Sequence, residues 1–390
     1  MINLQGKRNS AIIFTDKLDK AAKTQIAALL REEAYADSKI RIMPDTHAGK
    51  GAAVGTTMTL SGRVSPSLVG VDIGCGMEVV FLKEREVDLP ALDQVIHTCI
   101  PSGGRIHPSP KATFPLETLH CFQAVDRTRA LLSLGTLGGG NHFIELDKTA
   151  NGTLVLVIHS GSRMLGSDVA TYYGDQAYRY WCKKLRKREK QRRYDEDGEG
   201  FRSRNSKPRE GIKVSRETAV LEGELLEAYL RDLETVTAFA DLNRRTMAEL
   251  ICKELGLTAA RRFSCVHNTI DTRRNLLRKG AISANLGEEV IIPLNMRDGA
   301  ILGVGLGNPN WNYSAPHGAG RICTREEAQY AFSLEDFQAQ MQGIYTTTAQ
   351  KGSIDECPMA YKPPERILSA IGDTVSVTEI IKPVYNYKHC

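Results

Sequence analysis

Five histidines stand in glycine-rich surroundings at the ends of apolar runs: His47 in "MPDTHAGKG", His142 in "LGGGNHFIEL", His159 in "VIHSGSR", His267 in "CVHNTID" and His317 in "APHGAGR". Turns of this kind let the backbone approach a ligand closely, and sites are commonly built on them. His97, His107, His120 and His389 lack that setting. A single histidine is more often a hydrogen-bonded structural residue than a ligand. Five in one context, joined by Asp72 and Cys75 of "VGVDIGCGM", form a carboxylate, thiolate and imidazole set suited to Mn, Fe, Co or Zn. An aspartate buried in that apolar, glycine-studded segment needs a partner the segment does not supply. The thiolate can bridge, and the donors suffice for two ions; metal pairs ~3.5–4 Å apart recur in phosphoryl transfer.

Arginine follows histidine at a fixed spacing twice, His159 with Arg163 in "HSGSR" and His317 with Arg321 in "HGAGR". Glycine-exposed N–H groups and a forked guanidinium both address anionic oxygens, so the pattern fits phosphate or sulfate, although a structural turn with a packed arginine accounts for either one alone. The glycines of "LGTLGGGNH" do not match a dinucleotide fingerprint, because a strand-like "FIEL" follows rather than a helix. No GxxxxGK[ST] loop is present either, so a nucleotide would bind here without a P-loop.

These residues require a scaffold of strands and helices. The runs "TLVLVIHS", "RRFSCVHN", "EEVIIPL" and "AILGVGL" read as strands of a mixed sheet. "DKLDKAAKTQIAALLREEA", capped by Thr15 or Asp16, predicts an amphipathic helix, and "SRETAVLEGELLEAYLRDLETVTAFADLNRRTMAELICKELG" predicts one or two long helices ending at Gly256. Thr324 with Glu327 forms a capping box before the helix "TREEAQYAFSLEDFQAQM". The fold class is α/β in the mixed α+β sense, with mixed sheets flanked by helices around a metal-lined cleft. No internal repeat or linker divides the chain, which predicts a single domain over residues 1–390. Within it, Lys183 to Gly211 is polar and charge-blocked, and Lys183 to Arg193 carries eight basic residues against one acidic. A solvated helix end and loop is the ordinary reading of such a tract, and a nucleic-acid contact the less common one.

The chain has 390 residues, 42% hydrophobic and 25% charged, with a net charge of +5. That is globular composition, and the charge permits a polyanionic partner without requiring one. No apolar run approaches a membrane span and no secretion signal is evident, so a soluble cytoplasmic protein with no membrane partner is expected. Nine scattered cysteines with no CxxC pair fit neither a disulfide framework nor a zinc ribbon.

Taken together, "MPDTHAGKG", "VGVDIGCGM", "LGTLGGGNHFIEL", "VIHSGSR", "CVHNT", "GLGNPNWNYSAPHGAGR" and "KPVYNYK" resemble the RtcB family of RNA-splicing ligases, in a short branch. The resemblance runs from about residue 40 to the C-terminus. It implies joining of RNA 2',3'-cyclic phosphate or 3'-phosphate ends to 5'-hydroxyl ends, in RNA repair or tRNA splicing, with GTP and two Mn(II) ions. The implied metal ligands are Asp72, Cys75 and His142 for one ion and Cys75, His159 and His267 for the other. His317 matches the histidine that becomes guanylylated, and Asn141, Arg163 and Arg321 match residues that grip phosphate or support catalysis. Glu145, Tyr361 and Lys388 match guanosine-binding positions, with His142 beside them. "IPLNMRDG" departs from the commoner Gly-Ser-Met turn, placing Asn295 where a serine helps hold GMP. The RNA could be damaged transfer or ribosomal RNA, and an activating protein partner stays open. Two other readings remain: a two-metal phosphodiesterase or cyclic-phosphate hydrolase acting without GTP, and a non-catalytic RNA-binding or metal-storage module.

Overall fold

The computed structural model describes residues 1–196 and 215–389. Two sheets dominate. One has seven strands in the order Ala259–Val266, Gly76–Leu82, Leu154–Ser160, Phe143–Lys148, Val375–Lys388, Gly299–Gly305 and Glu289–Asn295, every pair antiparallel. The other has six, in the order Ile2–Gln5, Ser10–Ile13, Ile40–His47, Val54–Thr59, Leu276–Lys279 and Asn268–Asp271, with Ser10–Ile13 parallel to Ile40–His47.

The Gly76–Leu82 strand is apolar almost throughout because both its faces are covered. Met77, Val79 and Phe81 pack with Val155, Val157 and Ile291, while Val80 and Leu82 pack with Leu154, Leu156, Met247 and Ile251 on the opposite side. Alternation of side chains along a strand sends neighbours to opposite faces, so a doubly covered strand shows no polar phase. The four strands read from sequence correspond to Leu154–Ser160, Ala259–Val266, Glu289–Asn295 and Gly299–Gly305.

The helix Glu224–Leu255 lies against the central strands and ends at Gly256, whose left-handed φ of 66° closes it. It starts later than the predicted segment, because Leu221–Glu222 pairs as a short strand with Arg63–Val64. Two further boundaries differ. The first helix is Lys20–Leu29, capped by Asp19, which accepts from the Ala22 N–H, rather than by Thr15 or Asp16. The capping box at Thr324 forms as read, but its helix stops at Ala331; Ser333 then caps a second helix, Leu334–Gln340, by accepting from the Asp336 N–H. A serine oxygen that captures that N–H diverts the chain from the single helix its composition allows.

The basic tract begins inside the helix Arg163–Glu196, and its remainder, 197–211, lies outside the described residues. Lys184 is anchored to the fold by an ion pair with Glu222 and by the Trp181 ring. No helix among the described residues is long and apolar enough to cross a membrane, and every described cysteine is free.

Candidate functional site

Antiparallel pairing gathers the polar residues at one edge of the seven-stranded sheet. Cys75 precedes the Gly76–Leu82 strand, His142 precedes Phe143–Lys148, His159 lies near the end of Leu154–Ser160, and His267 follows Ala259–Val266. The register sets Met77 and Phe143 on either side of His159, and Val266 opposite Gly76. Lys388 ends the last strand opposite Phe143. Starts of some strands and ends of their neighbours thus coincide, although these residues span more than three hundred positions.

At that edge Cys75 Sγ lies 3.2 Å from His159 Nε2 and 3.5 Å from His142 Nε2. The three ligand atoms fall within 4.8 Å of one another, forming a candidate metal triad. Asp72 Oδ2 is 3.0 Å from His142 Nε2. Both imidazoles turn Nδ1 to a backbone carbonyl, His142 to Leu137 at 2.9 Å and His159 to Asn141 at 3.1 Å. A proton held on Nδ1 by such a carbonyl leaves the Nε2 lone pair for a metal. The His267 ring meets the His159 ring edge-on at 5.1 Å between centroids, and the His317 ring lies tilted beyond His267 at 4.8 Å. The Nδ1 of His267 is buried with no hydrogen-bond partner among the described residues.

Charge and burial suit a cation. Burial, reinforced by neighbouring imidazoles, holds His159 and His267 well below the ordinary histidine value, so both are neutral donors. Burial and the Asp72 carboxylate push the Cys75 thiol well above its ordinary value, and a thiolate there calls for a cation to offset it. Burial also works against the Asp72 carboxylate, but the His142 hydrogen bond and charge outweigh it and hold the group at about 2. Asp72 is not the fully buried aspartate expected from its sequence context: its side chain is 31% exposed, and it finds partners in His142 and the Ser162 N–H. With Cys75, His142 and His159 converging, Asp72 beside them and the His267 Nδ1 unpartnered among the described residues, the mixed thiolate, imidazole and carboxylate set fits a divalent metal of the Mn, Fe, Co or Zn group.

Glycine is required at two points of this cradle. Gly74, at φ 74°, lets the Asp72–Cys75 turn press on the long helix, where a Cβ would lie 2.8 Å from the Thr237 backbone. A Cβ on Gly161 would lie 2.0 Å from Asp72 Oδ1. Two buried residues of that helix tie the loops together. Asn243 bonds the Gly135 and Thr136 N–H groups and the Thr136 and Gly161 carbonyls, and Arg244 donates to the carbonyls of Gly74 at 2.8 Å and Ser160 at 3.0 Å.

His317 is held from the other sheet. Asp45, fully buried in the Ile40–His47 strand, accepts from the His317 Nδ1 at 2.7 Å and from its backbone N–H at 3.2 Å. His317 lines a cavity of about 1460 Å³, together with Asn141, Glu145, His159, Asn295, Arg321, Tyr361 and Lys388. His47 lines it too, with Nδ1 on the Asp45 carbonyl at 3.1 Å. On its wall Glu356 is a buried hub. It pairs with Lys388 at 2.6 Å, Arg325 at 2.7 Å and Arg321 at 3.2 Å, and accepts from the Tyr361 hydroxyl at 2.6 Å. Burial opposes that charge, but Lys388 and Arg325 outweigh it and hold Glu356 at about 2. Glu145, facing Asn386, is pushed above the ordinary glutamate value by burial.

Not every residue singled out from sequence points into the cavity. Arg163 turns to Gly103 O at 2.9 Å and Thr136 Oγ1 at 3.3 Å, and is absent from the cavity wall. Asn295 lines the cavity but spends its side chain on its own turn, accepting from the Arg297 and Asp298 N–H groups and donating to Asp298 at 2.8 Å. Asp45, Glu356, Asn243 and Arg244 were not singled out. Asp45 lies within "MPDTHAGKG", where its place two residues before a glycine-flanked histidine was the available signal. The other three carry no local sign.

A protein-family model described as tRNA-splicing ligase RtcB matches residues 27–118 and 111–389. The RNA-splicing ligase RtcB of Escherichia coli strain K12 is 31% identical over 388 residues, covering 88% of each chain. The tRNA-splicing ligase RtcB of Aeropyrum pernix is 26% identical over 427 residues, covering 84% of this chain and 82% of its own. The RNA-splicing ligase RtcB of Mycobacterium tuberculosis strain H37Rv is 26% identical, covering 84% and 91%.

Proposed function

The chain belongs to the RtcB family of RNA-splicing ligases and has the family's RNA-ligase activity, and from that premise we propose that it joins RNA 3'-phosphate or 2',3'-cyclic phosphate ends to 5'-hydroxyl ends, consuming GTP. The whole chain acts as one catalytic domain. The observation that carries this reading is the row of imidazoles running from the Cys75, His142 and His159 triad through His267 to His317 at the wall of the cavity.

Asp72, Cys75 and His142 would hold one Mn(II), and Cys75, His159 and His267 a second. When bound, the ions withdraw charge from the phosphoryl oxygens of substrate and so lower the barrier to displacement. Asp45 fixes the proton on His317 Nδ1, which leaves Nε2 as an uncharged nucleophile. His317 Nε2 attacks the α-phosphate of GTP, and a P–N bond forms as pyrophosphate departs. Where the end is a 2',3'-cyclic phosphate, water first opens it to the 3'-phosphate; the RNA 3'-phosphate then takes GMP from His317, and the resulting diphosphate end is attacked by the 5'-hydroxyl, releasing GMP. Glu145, Tyr361 and Lys388 hold the guanosine end, with Glu356 fixing Tyr361 and Lys388, and Asn295, whose side chain closes its own turn, lines the cavity beside them. Arg321 lines the cavity wall with its guanidinium held by Glu356 and by the carbonyls of Cys323 and Asp355, and would offer its remaining N–H groups to phosphate oxygens.

Incubation with GTP labelled at the α-phosphate and Mn(II) tests the reading. Covalent label is expected in the unaltered protein and in His97→Ala, and none in His317→Ala. Label retained in His317→Ala removes that nucleophile, while opening of a cyclic phosphate without GTP and without sealing makes the protein a phosphodiesterase.

A further inference from the structure

Behind the cavity wall two carboxyls touch. The Phe143–Lys148 strand turns Phe143, Glu145 and Asp147 to one face, because alternate residues of a strand point the same way. Glu145 lines the cavity, whereas Asp147, one step further along that face, does not reach it and is fully buried. Across the sheet Asp147 faces Val155 on one side and Pro383 on the other. Neither carries a side-chain donor, and no N–H or hydroxyl among the described residues reaches either Asp147 oxygen. Its hydrogen-bonding contact is with the Glu145 carboxyl. Glu145 is better supplied: Asn386, opposite it in register, donates Nδ2 to Oε2, and the Lys388 ammonium adds its charge.

Two carboxyls in contact make a hydrogen bond only when one of them holds a proton. In a buried pair both cannot ionise, since each charge opposes the other where little water screens it. The asymmetry of the surroundings decides which one keeps the proton. Burial raises both groups, but hydrogen bonds from Asp147 and Asn386 and the Lys388 charge work against it at Glu145, whereas the Glu145 charge reinforces it at Asp147. The other charged group facing Asp147 is Lys382, exposed on the Val375–Lys388 strand with its Nζ on the Asp298 carbonyl at 3.2 Å. The proton therefore belongs to Asp147, which is an O–H donor to Glu145.

An ionised glutamate is an acceptor only, with about four lone-pair sites on its two oxygens. Asp147 and Asn386 each occupy one, and the sites left over are those that can face the cavity. Guanine presents two adjacent N–H donors on its Watson–Crick edge, while adenine sets one donor beside an acceptor. A carboxylate suits the first pattern and repels part of the second; a protonated glutamate, with one donor and one acceptor, reverses that choice. We propose that Asp147 is a positioning residue for nucleotide selection: it donates its proton to Glu145 and holds that carboxylate ionised and aimed, so that the cavity takes guanine in preference to adenine. This inference rests on the reading of the cavity as the guanosine site and adds the group behind its wall that sets the selectivity.

The test is binding of N-methylanthraniloyl-labelled GTP and ATP to the full-length protein, followed by fluorescence across a pH series. Asp147→Leu removes the donor and keeps a buried side chain of similar volume, so its melting temperature should not fall. At neutral pH it is expected to bind the GTP probe about tenfold more weakly, the loss of one charge-assisted hydrogen bond, with the ATP probe scarcely affected. Its GTP affinity should recover as pH rises and Glu145 ionises unaided. Asp147→Asn, whose amide still donates, should keep the preference of the unaltered protein to within about threefold. An unchanged GTP-to-ATP preference in Asp147→Leu at every pH overturns the proposal. So does equal weakening of both probes, or the same loss in Asp147→Asn. Unfolding of Asp147→Leu would show that an ionised carboxyl is needed at that position, and overturns it as well. An unaltered protein that binds both probes equally overturns the guanosine reading and the proposal together. Selective GTP binding that changes as expected in the variants of a protein forming no GMP adduct upholds the carboxyl pair and overturns the ligase mechanism instead.

Discussion

Replacing Asp45 by asparagine isolates the control of His317 with almost no change of shape. The carboxylate is fully buried and accepts two hydrogen bonds from His317, one at 2.7 Å from Nδ1 and one at 3.2 Å from the backbone N–H. Its other oxygen has no hydrogen-bond partner among the described residues. The amide removes the negative charge facing the Nδ1 proton. A charge-assisted hydrogen bond of this kind is worth about 1.5–3 kcal/mol, so weakening it slows attack by roughly 10- to 150-fold. A second effect adds to the first. If the amide N–H donates to Nδ1, the imidazole proton moves to Nε2 and the nucleophilic lone pair is lost, which in histidine catalysis carries the loss toward ~10⁴. Asp45→Asn is therefore expected to form the GMP adduct at least about 10-fold more slowly at saturating GTP and Mn(II), with its melting temperature close to that of the unaltered protein. Single-turnover labelling with α-labelled GTP measures the rate. An adduct rate within threefold of the unaltered protein, in a folded Asp45→Asn, would refute the claim that this contact sets the nucleophile.

Cys75→Ala should lose most of its bound Mn(II), measured by equilibrium dialysis and elemental analysis, whereas Cys99→Ala, the last residue of the helix Leu89–Cys99 and no member of the triad, should keep it. Gly161→Ala should leave secondary structure intact yet weaken metal binding, because its Cβ would displace Asp72; unchanged dialysis would show that Asp72 is dispensable for the ion. The pH dependence of stability turns on Glu78, a strand carboxyl that burial, and then Asp241, push up to about 7. The folded state thus binds this proton more tightly than the unfolded chain. Its presence lowers stability progressively as pH rises from the ordinary glutamate range to about 7, and uniformly above that. Glu78→Gln should raise the melting temperature at pH 8 and scarcely alter it at pH 4, and an equal effect at both would locate the cost elsewhere.

The chemistry of this protein was legible because it is carried by residue types in conspicuous places. Five histidines beside glycine, an aspartate and cysteine inside an apolar segment, and the repeated histidine–arginine spacing all survive as patterns in one dimension. The long helix ending at Gly256 and four strands were equally readable, since glycine's left-handed cap and uninterrupted β-branched runs are local preferences. Boundaries were less so. Asp19 rather than Asp16 caps the first helix, and Ser333 splits the later one, because several capping residues compete within a few positions and packing selects among them.

Sequence alone determined the inventory of donors and, through several motifs taken together, the family. Only the tertiary structure decided how that inventory is shared out. Antiparallel register puts the starts and ends of adjacent strands at one edge, and so makes neighbours of Cys75, His142, His159 and His267. Packing of the short strand Ser314–Pro316 against the Ile40–His47 strand gives His317 its partner Asp45, and burial turns Glu356 into the centre of an ion-pair network. The fold also turns Arg163 away from the cavity, toward the Gly103 carbonyl and the Thr136 hydroxyl. Aspartate, glutamate and arginine are ordinary surface residues in any sequence. What sets these apart is the charge that faces them across long sequence separations and the water removed around them, and both belong to the fold.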